Sequence, residues 1–271
     1  MCIDDSFVKT KKSKTMKTKH LILVGLIFSN LIIQAQNNSG KVNYDEIIKL
    51  DFSTDSLDLD PAMAAIVALI PKSHRTQKIL YFTNEESLYH TNKEQNNYTL
   101  PDANGNTVKI GMTQPDDKFF SDLKNKKCIQ QKEFMTRKFL IEAESCKSDW
   151  KLTGNHKLIL DYPCQEAVFQ SKEDSITAWF TPSIPVSSGP NGYGGLPGLI
   201  LAIEGNNGKQ NFKSIATMIE LQEIDKALVT IPKEGKKVTE KEFEMIEAEK
   251  SKEMKQQNGN SGNVIIQYET K

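Results

Sequence analysis

The sequence predicts a mainly β fold of the β-rich α+β kind: a single curved antiparallel sheet or partial barrel, with one short buried helix and a C-terminal surface helix. Three observations predict it. Short runs of β-branched and aromatic residues recur between turn clusters, with no helical pattern recurring between them, so an antiparallel meander is expected over βαβ units. Residues 178–201, AWFTPSIPVSSGPNGYGGLPGLIL, hold four of the chain's ten prolines and join an aromatic run to an apolar one. A loop that carries Tyr193, Leu196 and Leu199 is expected to pack down onto a sheet. Finally, the segment after Thr239 is dense in Glu and Lys with few apolar positions, which reads as a solvated helix.

The chain opens with a polar, basic stretch, residues 1–15, that looks like an upstream extension. Residues 16–35 then have the layout of a signal peptide: Lys17 and Lys19, an apolar run over 21–33, and Ala35 near a plausible cut. That run is shorter than the roughly 20 residues needed to span a bilayer as a helix. A β-rich domain is expected over 36–236 and a charged helix and tail over 237–271. Without residues 1–35, which contain six lysines and two aspartates, the chain has 29 basic and 33 acidic residues, a formal net charge of −4. A mildly acidic chain without a basic stripe is a poor nucleic-acid binder.

Within the domain, residues 40–52 read as an opening strand with a bulge where the alternation slips after Tyr44. Asp60 caps a short helix with Pro61 at its first position, apolar over 63–70 and stopped by Pro71. Residues 77–83 and 87–91 form a hairpin, and 92–106 read as a loop. Further strands are expected at 108–112, 128–135, 137–142, 150–153, 158–162, 166–169, 176–180, 199–203, 212–221 and 227–231. Thr239 and Glu242 have the spacing of a capping box for the terminal helix, and 264–268 is a final edge strand or a tail.

Through the Pro- and Gly-rich stretch, Pro182, Pro185 and Pro190 fix φ, remove three amide donors and exclude both helix and central strand. In Leu196, Pro197, Gly198 and Leu199, Pro197 suits position i+1 of a type II turn, with Gly198 supplying the positive φ at i+2.

The hexapeptide Gly195, Leu196, Pro197, Gly198, Leu199 and Ile200 resembles the signature of the GLPGLI family, envelope proteins of Gram-negative bacteria named for it. The residues before it fit as well: Ala178, Trp179, Phe180, Thr181 and Pro182; Ile184 and Pro185; Gly189 and Pro190. Farther upstream, Trp150 with Lys151, and Tyr162, Cys164 and Ala167, match the family's Trp-Lys and Tyr-x-Cys-x-x-Ala segments. The resemblance implies a protein of the periplasm or outer membrane. The family has no established activity or catalytic residues to carry over, and its genes often lie near outer-membrane transport systems.

Chemistry-bearing motifs are absent: there is no GxSxG, HExxH or P-loop lysine, and His74, His90 and His156 lack ligand spacing. No cofactor, metal or catalytic residue is expected. Past residue 35 three cysteines remain, Cys128, Cys146 and Cys164. In an oxidising compartment a Cys146–Cys164 bridge is expected, with Cys128–Cys146 the other pairing and the third thiol buried. Trp179 and Tyr193, with Leu196 and Leu199, are either core residues or the lining of a groove for an apolar ligand or partner. The expected function is non-enzymatic binding near the outer membrane, with an outer-membrane transport protein as one partner. The alternatives are a periplasmic hydrolase with a dispersed site and a purely structural accessory subunit.

Overall fold

The first strand of the domain lies in the middle of its sheet. The computed structural model describes residues 38–49, 72–92, 97–101, 107–112, 115–143, 149–172, 174–207, 210–257 and 264–269, all within the unit Asn37–Lys271. The extension, the signal peptide, the helix expected over 60–70 and Cys146 lie outside the described residues.

Strand β1 (Gly40–Lys49) pairs antiparallel with β2 (Ser73–Phe82) on one side. From there β3 (Glu86–Thr91), β6 (Lys118–Asp122), β7 (Lys127–Phe134) and β8 (Arg137–Ala143) step outward as a meander, and β14 (Lys236–Val238) closes that edge parallel to β8. The chain then continues at the opposite edge. Strands β9 (Lys151–Ile159), β10 (Tyr162–Gln170), β11 (Asp174–Thr181), β12 (Leu199–Asn207) and β13 (Asn211–Leu221) step back inward, until β13 pairs with β1. The result is an open sheet of 12 strands, antiparallel except at β14. A separate three-stranded sheet joins β4 (Asn97–Pro101), β5 (Thr107–Met112) and β15 (Val264–Glu269).

Several expectations are corrected in detail. Residues 227–231 form no strand; a 3-10 turn at Lys226–Leu228 leads instead to β14. The loop expected over 92–106 contains β4, and the short strand β6 was not anticipated. Residues 150–153 and 158–162 are not two strands: Lys151–Ile159 is one strand, and the turn that follows it falls at Leu160 and Asp161, both at positive φ (49° and 65°), a region Asp tolerates and Leu seldom enters. The alternation in β1 does not slip: Val42, Tyr44 and Glu46 are all buried. The extra residue lies across the ladder in β13, between Ala216 and Met218.

The core lies mainly between the sheet and residues 182–198, which cross over it as a clasp. Ile184 and Val186 of the clasp pack with Val42, Tyr44, Leu80, Phe82 and Tyr89, and Leu196 packs with Phe180, Ile200 and Phe212. Fully burying an aliphatic or aromatic side chain contributes about 1.5–3 kcal/mol, which holds down a segment that has no regular ladder. Elsewhere Ile224 and Val229 cover Leu88 and Phe120. The helix α1 (Glu240–Gln257) lays Phe243 against Phe139 and Ile141. Its capping box is formed: Thr239 Oγ1 accepts from the Glu242 amide at 3.2 Å, and Glu242 Oε2 accepts from the Thr239 amide at 2.7 Å. Among the described residues no helix is long and apolar enough to cross a membrane.

Candidate functional site

The clasp is fastened by polar groups as well as apolar ones. Glu46, 4% exposed, points its carboxylate from β1 toward the clasp. Its Oε2 accepts from Asn191 Nδ2 at 2.6 Å, Ser214 Oγ at 3.2 Å and Tyr89 Oη at 3.4 Å, while Lys78 Nζ stands 3.6 Å from Oε1. A buried carboxylate held by three donors and a lysine reads as a latch for the clasp. Tyr44 Oη donates to the Ile200 carbonyl at 2.7 Å, and the Ser87 and Ser188 hydroxyls meet at 2.7 Å. Burial raises the Tyr44 hydroxyl well above the ordinary phenol range, so it stays a neutral donor.

The GLPGLI hexapeptide works through space, not through the expected turn. Leu196, Pro197 and Gly198 form a bend, and the positive φ values in the clasp fall at Asn191 (54°), Gly192 (77°) and Gly195 (90°) and not at Gly198. Gly198 is needed because a Cβ there would sit 2.2 Å from the Thr181 carbonyl oxygen. The two chain ends of the clasp pass too close for any side chain. Leu199 then donates its amide to the Ile184 carbonyl at 3.0 Å, and Ile200 donates to that of Ser188 at 2.9 Å.

The four candidate binding residues separate into two places. Leu196 and Tyr193 belong to the cluster around Phe180 and Phe212. Leu196 is buried; the Tyr193 ring stacks on Phe212 (centroids 6.0 Å apart, planes at 10°) and meets Trp150 edge-on at 6.3 Å. The Trp150 indole donates to the Gly194 carbonyl at 2.9 Å, so the upstream Trp serves as a staple for the clasp. Burial, with Asp174 adding to it, pushes the Tyr193 hydroxyl up to about 12. Leu199 is wholly buried in the other cluster, and Trp179, half-buried, packs against that same cluster.

Of the four, Trp179 borders a pocket. A cavity of about 210 Å³ lies beside it, walled by Lys157, Leu158 and Ile159 of β9, Ala202 and Ile203 of β12 and Ile215 of β13. Glu204 and Lys213 complete the wall as an ion pair at 2.8 Å. Lys157 Nζ rests 3.9 Å above the indole centroid, an interaction worth about 0.5–1 kcal/mol at an exposed site and therefore easily displaced. The lining is apolar at the floor with one cation in excess at the rim. Sequence reading missed Lys157 and the walls from β12 and β13, because β10 and β11 separate β9 from β12 in the sheet and only side chains meeting across them join these residues in one pocket.

Cys164 is a free, buried thiol, which overturns the Cys146–Cys164 bridge: its sulfur is enclosed in the core beside Val42, Tyr44 and Leu201. Burial pushes the thiol up to about 11, against the opposing pull of Lys157, so it is a poor nucleophile. Among the described residues no group of three or more His, Cys, Asp or Glu is placed to hold a metal ion.

Residues 165–202, from β10 through the clasp to β12, match the family described as Protein of unknown function (Porph_ging). Two crystal forms of PNGF-II are similar to the chain. The P21 form is 16% identical with a TM-score of 0.49, over 77% of this chain and 33% of that one. The C2 form is 16% identical with a TM-score of 0.46, over 76% and 32% respectively. The chain thus spans about a third of the length of PNGF-II. No curated protein matches the chain.

Proposed function

We propose that this chain is an exported, non-enzymatic envelope protein of the GLPGLI type that binds a partner near the outer membrane through the pocket beside Trp179. The observation that carries the reading is the pocket: an apolar floor against a half-buried indole, with Lys157 as a displaceable cover. Its size decides the form of ligand. At about 210 Å³ it falls below the roughly 300–1,000 Å³ of sites that enclose a whole small molecule. One apolar side chain of a partner protein, or the end of an acyl chain, is what it holds. An outer-membrane transport protein fits as that partner. The disulfide of the exported chain is then Cys128–Cys146, with Cys164 left as the free thiol.

The test compares the wild-type protein with Trp179→Ala, each purified from native envelopes, for co-purifying proteins and lipids. The reading expects a component present with the wild type and depleted at least tenfold with Trp179→Ala at equal thermal stability. Identical composition in the two preparations contradicts it.

A further inference from the structure

The wall of the pocket that comes from β9 is also an open edge of the sheet. Among the described residues β9 pairs with β10 alone, and every residue from Lys151 to Leu158 is exposed. An edge strand presents unpaired backbone donors and acceptors to any extended chain that reaches it.

The two halves of this edge differ. In the first, Glu166 of β10 faces three residues of β9, Thr153, Gly154 and Asn155. Gly154 takes φ 84°, and Thr153 Oγ1 and Asn155 Nδ2 both donate to Glu166 Oε2, at 2.6 and 2.7 Å. Such a bulge bends the strand and blunts the edge, as natural sheets do against promiscuous pairing. In the second half, His156, Lys157, Leu158 and Ile159 pair one to one with Gln165, Cys164, Pro163 and Tyr162. That half is regular and unprotected, exposes Leu158 at 70%, and is the half that walls the pocket.

We infer that the regular half of β9 receives an extended segment of a partner protein as an added strand, with one apolar side chain of that segment seated beside Trp179 and acidic residues facing Lys157. The inference rests on the pocket reading above and names the form in which the partner arrives. Charge selects the partner: β9 contains Lys151, His156 and Lys157 and no acidic residue, and the pocket adds only the internally paired Glu204 and Lys213. A second copy would set these lysines against a strand as basic as their own, so an acidic, apolar segment is favoured.

The probe is a fluorescein-labelled synthetic nonapeptide with Glu at positions 1, 3, 7 and 9, Leu at position 5 and Ser between, so that Glu and Leu share one face of the strand, with Lys in place of Glu as control, titrated by anisotropy against the intact protein. Successive amides of a strand point to opposite sides, so of Lys157→Pro and Leu158→Pro one removes an outward donor and leaves the β10 ladder whole. The variant that keeps the wild-type melting temperature is the one used. Saturable binding of the acidic peptide is expected, at least tenfold weaker for the Lys peptide, for that proline variant and for Trp179→Ala. No saturable binding of the acidic peptide, or a proline variant within twofold of wild type, overturns the strand addition. If Trp179→Ala alone weakens binding, the pocket stands and the added strand falls. If the proline alone weakens it, the edge stands and the pocket reading fails. A dimer by light scattering that the proline dissolves overturns the partner in favour of a second copy.

Discussion

The clasp and β9 lie on one sheet and have opposite characters. Residues 182–198 run no continuous ladder, yet Ile184, Val186 and Leu196 are each no more than 3% exposed. Strand β9 has nine residues, six of them paired with β10, and leaves Leu152 at 60% and Leu158 at 70% exposed. Backbone regularity therefore does not decide burial here. What decides it is whether a segment has something to cover it: the clasp crosses the sheet and is fastened by Glu46, Tyr44 and Trp150, whereas among the described residues β9 has a neighbour on one side only.

The sharpest way to break this comparison is to remove the fastening. Glu46→Ala leaves Lys78, Asn191 and Ser214 without their common partner, and taking one member from a buried charged network costs about 3–5 kcal/mol. Urea unfolding measures it; a loss under about 1 kcal/mol would mean that apolar packing alone holds the clasp. Gly198→Ala drives a Cβ against the Thr181 carbonyl and is expected to cost about 1–3 kcal/mol, as overpacking does. Leu158→Thr on β9, whose side chain is mostly in solvent, should change stability by no more than about 0.5 kcal/mol.

The pH dependence is a smaller effect. Burial lowers both His74 and His90 below the ordinary histidine range, His74 helped by Lys78. As pH falls through about 6.5 the unfolded chain takes up protons that the folded one refuses. Stability should then decline from about pH 7 downward until the lowered folded values are reached. His90→Gln should flatten part of that decline in a series of denaturant midpoints, and an unchanged slope would remove His90 from the account.

Much of the fold was legible because hydrophobic alternation and turn chemistry are local. The hairpin of β2 and β3, the pair β7 and β8, and the capping box at Thr239 all follow from neighbours in sequence. What could not be read was set by distant partners. Nothing local marks Glu46 for burial, which depends on Ser214 across the pairing of β1 with β13 and on Asn191 of the clasp. Gly198 suggested a positive φ because Pro-Gly favours a type II turn, whereas its role is the close pass by Thr181. For the candidate site, Trp179 was identifiable as an aromatic beside the clasp. Lys157 was not, since it lies on β9, two strands from Trp179 in the sheet.

Hydrogen exchange on the free protein tests the contrast between clasp and edge most directly. The amides of Ile184, Val186, Ser188, Tyr193, Leu199 and Ile200, all hydrogen-bonded, should exchange as slowly as those of β12 and β13. The outward amides among His156, Lys157, Leu158 and Ile159 should be lost at close to the unprotected rate. Clasp amides that exchange as fast as an open loop, or an edge as protected as the sheet centre, would contradict the account.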